Sequence, residues 1–313
     1  MNVMRKIVSI LGNVRRKGRI GGFVDSALYA IKRGSAALLD DEAFVKTYYR
    51  LHTGRRLDLR DPVIYSEKLQ WLKLYYRPPV MVSLVDKYSV REYVASRAGA
   101  EYLIPLLGVY DSPDAIELDG LPESFVLKPT HGSGWVILCR NKSEVDWPSV
   151  ESRLRIWLKR NYYYHAREWA YRHVPPRIVC EALLEDEAGR IPMDFKVFCF
   201  GGVPEMIQVD VDRFGDHRRD FYDTSWNRLP VELKYPASGR TLPRPSQLDR
   251  MLEVASALAA PFPVCRVDLY CVGSKVYFGE LTFCPDNGVA SVRPVEYEFL
   301  WGEKIKLPNV RTL

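Results

Sequence analysis

The chain has 313 residues, of which 47% are hydrophobic and 27% are charged, a composition typical of a globular protein with a sizeable core. Its formal net charge of +6 is concentrated in the first 34 residues, where eight side chains are basic and only Asp25 is acidic. The remainder is close to neutral, which excludes a body that binds nucleic acid through a basic surface. No apolar run is long enough to span a bilayer, and Gly12 and Asn13 interrupt the N-terminal apolar stretch, so it does not form a signal-peptide core.

Residues 1–40 are predicted to form a basic, amphipathic N-terminal arm. Apolar side chains such as Ile7, Leu11 and Leu28 alternate with the basic ones. A segment of this kind binds anionic membrane surfaces, so we expect peripheral membrane contact through residues 1–34. The alternative is a basic leader that is partly disordered. With no predicted span or signal peptide, we expect a cytoplasmic protein that contacts the inner face of the membrane.

The six cysteines form no C-x-x-C pair, and most lie in apolar, strand-like runs. We therefore expect buried free thiols, which are typical of a reducing compartment, and no zinc site.

Residues 41–120 are predicted to form a small α-rich lobe. Helices are expected over residues 41–50 and 66–75, the second with Ser66 as its N-cap and with Arg77-Pro78-Pro79 beyond its end. A third helix is expected over residues 83–98, and residues 105–110 are expected to form a short strand or loop.

The β-rich part begins at Phe125 with a strand, a loop and a second strand. Lys128 lies near the end of the first strand, and the loop contains His131 and the tripeptide Gly132-Ser133-Gly134. Glycines let backbone N–H groups approach a phosphate, and the lysine supplies a positive charge. Neither common nucleotide fingerprint fits, because the lysine precedes the glycines and a strand follows them. The alternative is a glycine-containing hairpin with a solvated lysine.

The remaining pattern alternates strands and helices, which indicates α+β layers rather than a doubly wound sheet. The strand at residues 195–200 is expected to turn at Gly201-Gly202 into a second strand, and Ser246 is expected to cap a helix. The other predicted elements are a helix at 149–162, strands at 177–182 and 218–222, a helix at 246–259, and strands at 264–272 and 275–282 joined at Gly273-Ser274.

The last predicted hairpin places two carboxylates in apolar strands. A two-residue turn at Gly273-Ser274 would bring Asp268 opposite residue 279 and therefore close to Glu280. Two neighbouring buried carboxylates repel each other, and one or two Mg²⁺ ions would neutralise them. The alternative is that each pairs with an arginine, of which Arg266 is the nearest in sequence.

Three further residues are candidates for contact with a phosphorylated ligand. Lys87 and Lys196 are lysines in largely apolar segments. Glu181 lies at the end of an apolar strand, where its carboxylate could accept hydrogen bonds from a ribose or an adenine amine. Each could equally be a surface charge.

In this order, the motifs resemble the TupA-like (teichuronopeptide-biosynthesis-type) group of the ATP-grasp superfamily, over about residues 65–308. The similar strings are Ser66-Glu67-Lys68-Leu69-Gln70-Trp71-Leu72-Lys73, Leu84-Val85-Asp86-Lys87-Tyr88, Tyr102-Leu103-Ile104-Pro105, the Lys128 loop, Asn161-Tyr162-Tyr163-Tyr164, Arg167-Glu168-Trp169, Asp194-Phe195-Lys196 and Gly279-Glu280-Leu281-Thr282-Phe283.

The resemblance implies an ATP-grasp fold of the α+β class, in which two α+β subdomains clasp ATP behind the α-rich lobe. These would be residues 121–185, which carry the flexible loop, and residues 186–313, which bind the metal. Lys87 and Lys128 would contact the ATP phosphates, and the loop with His131, Gly132, Ser133 and Gly134 would fold over them. Glu181 would lie at the adenine and ribose end.

The same resemblance implies that Asp268 and Glu280 hold Mg²⁺ and that Lys196 lies at the phosphate end. Many members of the superfamily have asparagine two residues after the metal-binding glutamate, whereas this chain has Thr282. A threonine hydroxyl can bind a metal less well than an amide oxygen can, and Asn287 is an alternative ligand. The number of metal ions therefore stays open.

The implied activity is that of a ligase that activates a carboxylate as an acyl phosphate and joins it to an amine. The substrates would be a small-molecule or lipid-linked saccharide with a uronic acid unit, in the synthesis of a cell-surface polysaccharide, and an amino acid or other amine. Arg213 would clamp the carboxylate, and Asp210 would reach the cleft. Residues 161–169, with rings and Arg167, are either a sugar site or a packing seam. The alternatives are an ATP-dependent sugar kinase with an aspartate base such as Asp210 and a non-catalytic nucleotide-binding protein.

Overall fold

The computed structural model describes residues 18–34, 36, 38–211 and 216–309, with side chains from residue 26 onwards. The helices in this part are α1 (Gly18–Gly34), α2 (Asp41–Thr53), α3 (Tyr65–Tyr75), α4 (Val80–Val85), α5 (Val90–Arg97), α6 (Trp147–Leu158), α7 (Tyr163–Ala166), α8 (Leu248–Ala259) and α9 (Glu296–Lys304). The strands are β1 (Leu106–Tyr110), β2 (Phe125–Pro129), β3 (Ile137–Cys139), β4 (Ile178–Ala182), β5 (Asp194–Phe200), β6 (Val203–Val211), β7 (Arg218–Tyr222), β8 (Arg228–Leu229), β9 (Glu232–Leu233), β10 (Val264–Val272), β11 (Lys275–Thr282) and β12 (Val292–Arg293).

The described strands form antiparallel sheets, which confirms the predicted α+β class. A six-stranded sheet has the order β11-β10-β5-β6-β7-β8, and a four-stranded sheet has the order β1-β4-β2-β3. A small ribbon pairs β9 with β12. The edge strand β1 comes from the segment that the sequence assigns to the α-rich lobe, and it pairs with β4. The smaller sheet therefore also includes residues from before the β-rich part.

The six-stranded sheet is covered differently on its two faces, and this difference positions the site. Phe195 and Val197 of β5 lie on the face that packs against α8 in one large apolar core. Phe198 and Phe200 point to the opposite face, because side chains alternate along a strand, and they pack with α3 and α9. Asp194 and Lys196 share this second face at the start of β5, beyond the apolar residues. Polar side chains thus occupy one half of a face whose other half is core.

Two predicted N-caps are wrong. Helix α3 begins at Tyr65, so Ser66 lies within its first turn, where its N–H donates to the Glu298 carboxylate of α9 at 3.0 Å. Helix α8 begins at Leu248, and the Ser246 hydroxyl instead donates to the carbonyl of Gly273 at 3.3 Å. In both cases the serine forms a hydrogen bond with a partner that is distant in sequence.

The single helix predicted over residues 83–98 is two helices, α4 and α5. Asp86 has an extended backbone between them, and its carboxylate accepts the N–H groups of Tyr88 and Ser89 at 2.9 and 3.4 Å. An aspartate that bonds backbone groups two and three residues ahead favours a turn over a continuous helix. The break therefore places Lys87 on a turn instead of on a helix.

The cysteine prediction is confirmed: all six are free, and Cys271 is the only one that is not fully buried. Within the described ranges, no helix has both the length and the apolar character needed to cross a membrane.

Helices α3 and α9 are far apart in sequence but pack against each other. The Lys68 ammonium donates to the carbonyls of Gly302 and Ile305 at 2.8 and 2.9 Å. Gly302 lies so close to the segment before α3 that a Cβ there would overlap the carbonyl oxygen of Val63 and come within 3.0 Å of the Tyr65 nitrogen. Backbone atoms cannot move away as a flexible side chain can, so this contact requires a glycine.

We predict that Gly302→Ala lowers the free energy of unfolding by about 2 kcal/mol, because the added methyl group forces the two helices apart. Gly120→Ala is the matched control, since no atom lies within 4 Å of a Cβ at that position, and a change within about 0.5 kcal/mol is expected there. Urea denaturation of the three proteins measures both values. Equal stability of the two variants would contradict the tight contact.

Candidate active site

Charged side chains form a row across three neighbouring strands of the six-stranded sheet. Asp268 of β10 lies opposite Lys196 of β5 on one side and opposite Glu280 of β11 on the other. The turn alone predicted residue 279 opposite Asp268. An irregularity in the β10–β11 pairing leaves Gly279 as an extra residue and moves Glu280 into register. The structure therefore brings together three of the predicted site residues.

The row is neutralised by side chains of the same sheet. The Lys196 ammonium donates to Asp268 at 2.7 Å and also to Asp194. Arg266 binds both oxygens of Asp268, at 2.6 and 2.8 Å, and approaches Glu280 at 3.5 Å and the Thr282 hydroxyl at 3.1 Å. Burial raises the pKa of the Asp268 carboxyl, but Arg266 and Lys196 outweigh it and hold that pKa below its ordinary value. Arg266 thus pairs with both carboxylates in this structure, as the alternative to a metal site predicts.

Arg266 is a candidate site residue that the sequence suggests only as a competing partner of the carboxylates. It lies two residues before Asp268 on the same face of β10, and a buried guanidinium bound by two carboxylates is a fixed positive charge. The alternation in Arg266-Val267-Asp268 is the signal that could have identified it.

A second cluster lies beside the row and contains Asp210. Arg219 donates to Asp210 at 2.7 Å and to Asp286 at 3.0 Å, and Gln208 also donates to Asp210, at 3.2 Å. Burial raises the pKa of Asp210, but Arg219 and the other cations outweigh this and hold the pKa well below its ordinary range. His217 lies 3.2 Å from the same carboxylate. Arg213 lies outside the described residues, so its predicted role stays a prediction.

The four-stranded sheet supplies the phosphate-facing candidates. Lys128 on β2 forms an ion pair with Glu181 on β4 at 2.7 Å, and Arg91 approaches the same carboxylate at 3.4 Å. Glu181, which was predicted at the adenine and ribose end, therefore holds Lys128 in place in this structure. Both side chains are largely buried, and they are diagonal neighbours on one face, because Val126, two residues before Lys128, is opposite Glu181.

Lys87 connects the loop to the site. Its backbone N–H donates to Thr130 at 3.2 Å, and its ammonium donates to the carbonyl of Gly132. Burial lowers the pKa of the Lys87 ammonium, and Lys128 adds to this, whereas the nearby carboxylates of Glu280 and Glu181 oppose it. Lys87 thus contacts the loop after β2 through both its backbone and its side chain.

The turn that carries Lys87 is itself held by an ion pair. Asp86 is buried, and it binds Arg177 at 2.7 Å in addition to the N–H groups that start α5. The Arg177 guanidinium lies 4.6 Å from the ring centroid of Tyr88. These contacts tie the turn to the start of β4, a link between distant residues that no local pattern predicts.

The loop of residues 131–134, called the flap below, rests on aromatic rings. Trp135 stacks on Trp157 with 6.2 Å between ring centroids, and Gly132 lies so close to the Trp135 indole that a Cβ would overlap it. Tyr162 forms a hydrogen bond with Ser133. Gly134 has a φ of 74°, a conformation that glycine adopts without strain. The glycines are therefore needed for packing and for the turn.

His131, which the sequence places in the loop, is buried and only 2% exposed. Its Nε2 lies 3.1 Å from the carbonyls of both Trp157 and Arg160, at the end of α6. Burial lowers the pKa of His131, which favours the neutral ring. In this structure His131 anchors the flap to α6, and a contact with ATP stays a prediction.

Helix α1 braces the segment that supports the flap. Arg160 donates to the Ser26 hydroxyl at 2.9 Å, and the N–H of Asn161 donates to the Tyr29 hydroxyl at 2.9 Å. Lys32 lies 3.2 Å from Nδ1 of His165. The predicted arm thus includes a helix that packs on the body of the protein.

The structure favours the packing seam for residues 161–169. Arg167 is fully buried, with its guanidinium 4.3 Å from the ring centroid of Phe44 and 5.2 Å from that of Tyr163. Asp41 lies 3.8 Å from it. Such an arginine holds α2 against α7 and is not accessible to a substrate carboxylate.

Glu168, next in the chain, is turned toward the charged row. Burial raises its pKa to about 7; Glu280 adds to this rise, whereas Lys73 and Arg266 oppose it. Lys73 in turn donates to the carbonyl of Asn287 at 2.9 Å, as Gln70 does at 2.8 Å. Asn287, the alternative metal ligand, therefore has its backbone tied to α3, and its role stays a prediction.

The residues present suit a magnesium ion that arrives with a phosphorylated substrate. Mg²⁺ prefers oxygen ligands and is usually bound by one or two carboxylates plus phosphates and water. Asp268, Glu280 and Thr282 provide such oxygens side by side, and the Glu280 side chain is 31% exposed with only one weak ionic contact, at 3.5 Å. Within the described ranges no group of three or more histidine, cysteine or acidic side chains could hold a metal without a ligand's help. The set fits the ion only as a partner of bound phosphates.

Two antiparallel sheets that carry lysines and paired carboxylates are the arrangement expected of the ATP-grasp class of protein. The chain belongs to the TupA-like ATPgrasp family, whose sequence pattern it matches over residues 67–306. This match confirms the predicted family and fold. No curated protein matches the chain in sequence.

Solved structures with a similar arrangement include D-alanine–D-alanine ligase from Bacillus anthracis, at 15% identity and a TM-score of 0.39, over 71% of this chain and 59% of that one. The ATP-grasp ligase PsnB, complexed with a minimal precursor, matches at 10% identity and a TM-score of 0.41, over 76% and 67%. L-amino acid ligase from Bacillus licheniformis matches at 15% identity and 0.43, over 72% and 50%. The chain thus spans about half to two thirds of the length of these proteins, and at such scores the family rests on the sequence match alone.

We predict that Glu168→Gln removes a pH dependence of stability. The raised pKa means that the folded state retains a proton that the unfolded state loses near pH 4.5. Wild-type stability should therefore fall relative to the variant as pH rises from about 4.5 to about 7, by on the order of 2 kcal/mol, and then stay lower.

Urea denaturation at pH 5, 6, 7 and 8 measures the difference. Glu253→Gln, at a side chain that is 64% exposed, is the control and should show no such trend. A constant difference between wild type and Glu168→Gln across this range would contradict the burial of Glu168 as a neutral acid.

Proposed function

We propose that the protein is an ATP- and Mg²⁺-dependent ligase that joins a carboxylate to an amine through an acyl phosphate. The observation that carries this proposal is the register that sets Lys196, Asp268 and Glu280 side by side across three strands, with Lys128 held by Glu181 on the other sheet. A polyphosphate between the sheets would meet cations from both. Measurement of the Mg²⁺ bound per protein with ATP decides between one metal ion and two.

The charged side chains can exchange their present partners for those of the nucleotide. Lys128 and Lys196 are now held by Glu181 and Asp268 at 2.7 Å, so each ammonium is already directed before ATP binds. When bound, Mg²⁺ supplies positive charge to the phosphate oxygens and to the two carboxylates. Arg266, fixed by Asp268, then places its guanidinium toward charge that develops on the transferring phosphoryl group, and preorganised donors of this kind stabilise a transition state strongly.

The reaction needs no nucleophile from the protein. A substrate carboxylate oxygen attacks the γ-phosphorus and ADP leaves; the amine nitrogen then attacks the acyl carbon, inorganic phosphate leaves with that oxygen, and the amine loses a proton. Burial raises the pKa of Cys180, Cys199 and Cys284 to about 12, so these thiols stay protonated. The flap would exclude water from the acyl phosphate.

The geometry supports the ligase over the sugar kinase. A kinase would use an aspartate as base, and Asp210 was the candidate. Arg219, Gln208 and His217 surround that carboxylate, and its pKa is held far below neutrality. A carboxylate so strongly stabilised as an anion is a weak proton acceptor.

For the substrates, we propose a uronic acid unit of a small-molecule or lipid-linked saccharide and an amino acid or other amine, within the synthesis of a cell-surface polysaccharide such as a capsule or exopolysaccharide. The support is the membership of the TupA-like family together with the ammonium groups of Lys87, Lys128 and Lys196 at the candidate site. Arg213 is the proposed clamp for the uronic carboxylate.

The test is an incubation with ATP, Mg²⁺, a uronic acid whose carboxylate carries ¹⁸O, and a panel of amino acids. We expect ADP release only when acid and amine are both present, with one ¹⁸O atom in the released phosphate. ADP release with the sugar alone and a stable phosphosugar would establish the kinase instead. Absence of ATP binding in calorimetry would favour the non-catalytic protein.

We predict that Glu280→Gln lowers turnover at least about 100-fold, because it removes a charge on which the phosphate-bound metal depends. The thermal unfolding midpoint should stay close to that of the wild type, since Glu280 makes only the 3.5 Å ionic contact with Arg266. Glu253→Gln serves again as the matched control and should retain full activity. Unchanged turnover in Glu280→Gln would refute the assignment of Glu280 to the metal.

A further inference from the structure

Most carboxylates near the charged row are poor acceptors for the protons that the proposed reaction releases. The amine nitrogen loses protons as the amide forms, and a primary amine is largely protonated at neutral pH. Asp210 is held as an anion by Arg219. Glu181 and Asp268 each bind a lysine ammonium at 2.7 Å. A carboxylate that no cation binds directly would be a better proton acceptor.

Glu168 has such a carboxylate, which makes no hydrogen bond or ion pair with any residue of the described ranges. It is half-buried and lines a cavity of about 40 Å³. A space of this size holds a few water molecules or the amino end of a small molecule. Lys73 also lines the cavity, and most of the other walls are apolar side chains such as Leu72, Tyr76 and Met81.

The cavity adjoins the charged row on the six-stranded sheet. Val264, at the start of β10, lines the cavity. Side chains alternate along a strand, so Arg266 is the next one on the same face, about 7 Å away, and Asp268 follows it. Cys284, on the opposite wall of the sequence, lines the cavity two residues after Thr282 of β11. An amine in the cavity would therefore lie at the end of the row.

The segment that carries Glu168 also reaches the flap. Tyr162 forms a hydrogen bond with Ser133, and its ring centroid lies 5.9 Å from that of Trp135. The ring of Tyr171 lies 4.8 Å from that of Tyr162, and the Tyr171 N–H donates to the Glu168 carbonyl at 3.2 Å. Short contacts thus connect Glu168 to the loop that is proposed to cover the acyl phosphate.

We propose that Glu168 is a catalytic residue whose carboxylate receives the substrate amine in this cavity and takes a proton from it. The inference rests on the proposed ligase reaction. One proton of the ammonium passes to Glu168, and the nitrogen lone pair then forms the C–N bond with the acyl carbon. The C–O bond to the phosphate breaks, and a second proton leaves with inorganic phosphate. Glu168 then returns its proton to the solvent.

The charges around Glu168 suit this role. Burial raises its pKa to about 7, which makes it a stronger base than an ordinary carboxylate. Glu280 of β11 adds to the rise, whereas Lys73 of α3 and Arg266 of β10 oppose it. Both cations also favour loss of a proton from an amine bound beside them. The other titratable side chains around Glu168 stay protonated at neutral pH, because burial raises their pKa values; they are Cys284, Tyr162 and Tyr171.

The test compares two nucleophiles in the wild type and in Glu168→Gln. Reactions contain ATP, Mg²⁺, a mixture of glucuronic, galacturonic and mannuronic acids, and either the standard amino acids or hydroxylamine. Hydroxylamine is largely unprotonated at neutral pH and converts an acyl phosphate to a hydroxamate. We expect Glu168→Gln to form amide at least about 100-fold more slowly than the wild type and to form hydroxamate within about threefold of the wild-type rate.

The pH profile supplies a second measurement. Wild-type amide formation should rise as pH increases through about 7, because Glu168 ionises there, and this step should be absent in Glu168→Gln. Glu168→Asp keeps the acid on a shorter side chain and should restore part of the rate together with the step. The matched control is Glu253→Gln, at an exposed side chain, which should form both products as the wild type does.

Equal slowing of amide and hydroxamate formation in Glu168→Gln would overturn the inference, because Glu168 would then support formation of the acyl phosphate or the fold. An unchanged amide rate in that variant would also overturn it, because another group would accept the proton. In both cases the wild type still forms hydroxamate, so the ligase reaction stands. If the wild type forms neither product, the ligase reaction fails, and the role of Glu168 fails with it.

Discussion

The arrangement of the site depends on the ion pair between Arg266 and Asp268. A carboxylate buried in a sheet is costly unless a cation accompanies it, and this arginine reaches both oxygens from the same strand. Lys196 and Glu280 then take their places on either side, on the neighbouring strands. Removal of the guanidinium would leave the buried Asp268 beside the Glu280 carboxylate, with Lys196 as its remaining cation. The whole row therefore depends on one side chain that no common motif identifies.

The sheet below this row explains why such charges are tolerated. One face of β5 and β10 is fully apolar and packs on α8, whereas the other is apolar only where α3 and α9 cover it. The uncovered half carries Asp194, Lys196, Arg266 and Asp268, all of them buried. Hydrophobic burial elsewhere thus offsets the desolvation of these charges, which balance one another through their ion pairs.

Much of this could be predicted from the sequence, because the signals were local. The β10–β11 hairpin followed from alternation and a Gly-Ser turn, and the family followed from strings such as Asp194-Phe195-Lys196. What failed depended on partners distant in sequence. Ser66 lost its capping role to Glu298 of α9, and β1 joined a sheet through β4, more than 65 residues away. His131 looks like a loop residue, but the carbonyls that bury it lie at the end of a helix that sequence alone cannot position. The extra residue at Gly279 was also invisible, since a bulge is set by the pairing of two strands and not by either one.

Helices α3 and α9 come from opposite ends of the region that defines the family. That region runs from residue 67 to residue 306, and Lys68 near its beginning donates to the carbonyls of Gly302 and Ile305 near its end. The two ends of this region therefore meet, and α3 and α9 cover the same patch of Phe198 and Phe200. On a ribosome, this patch would stay uncovered on one side until the final turn of α9 has emerged. The six-stranded sheet thus receives its full apolar cover only after α9 has been synthesised.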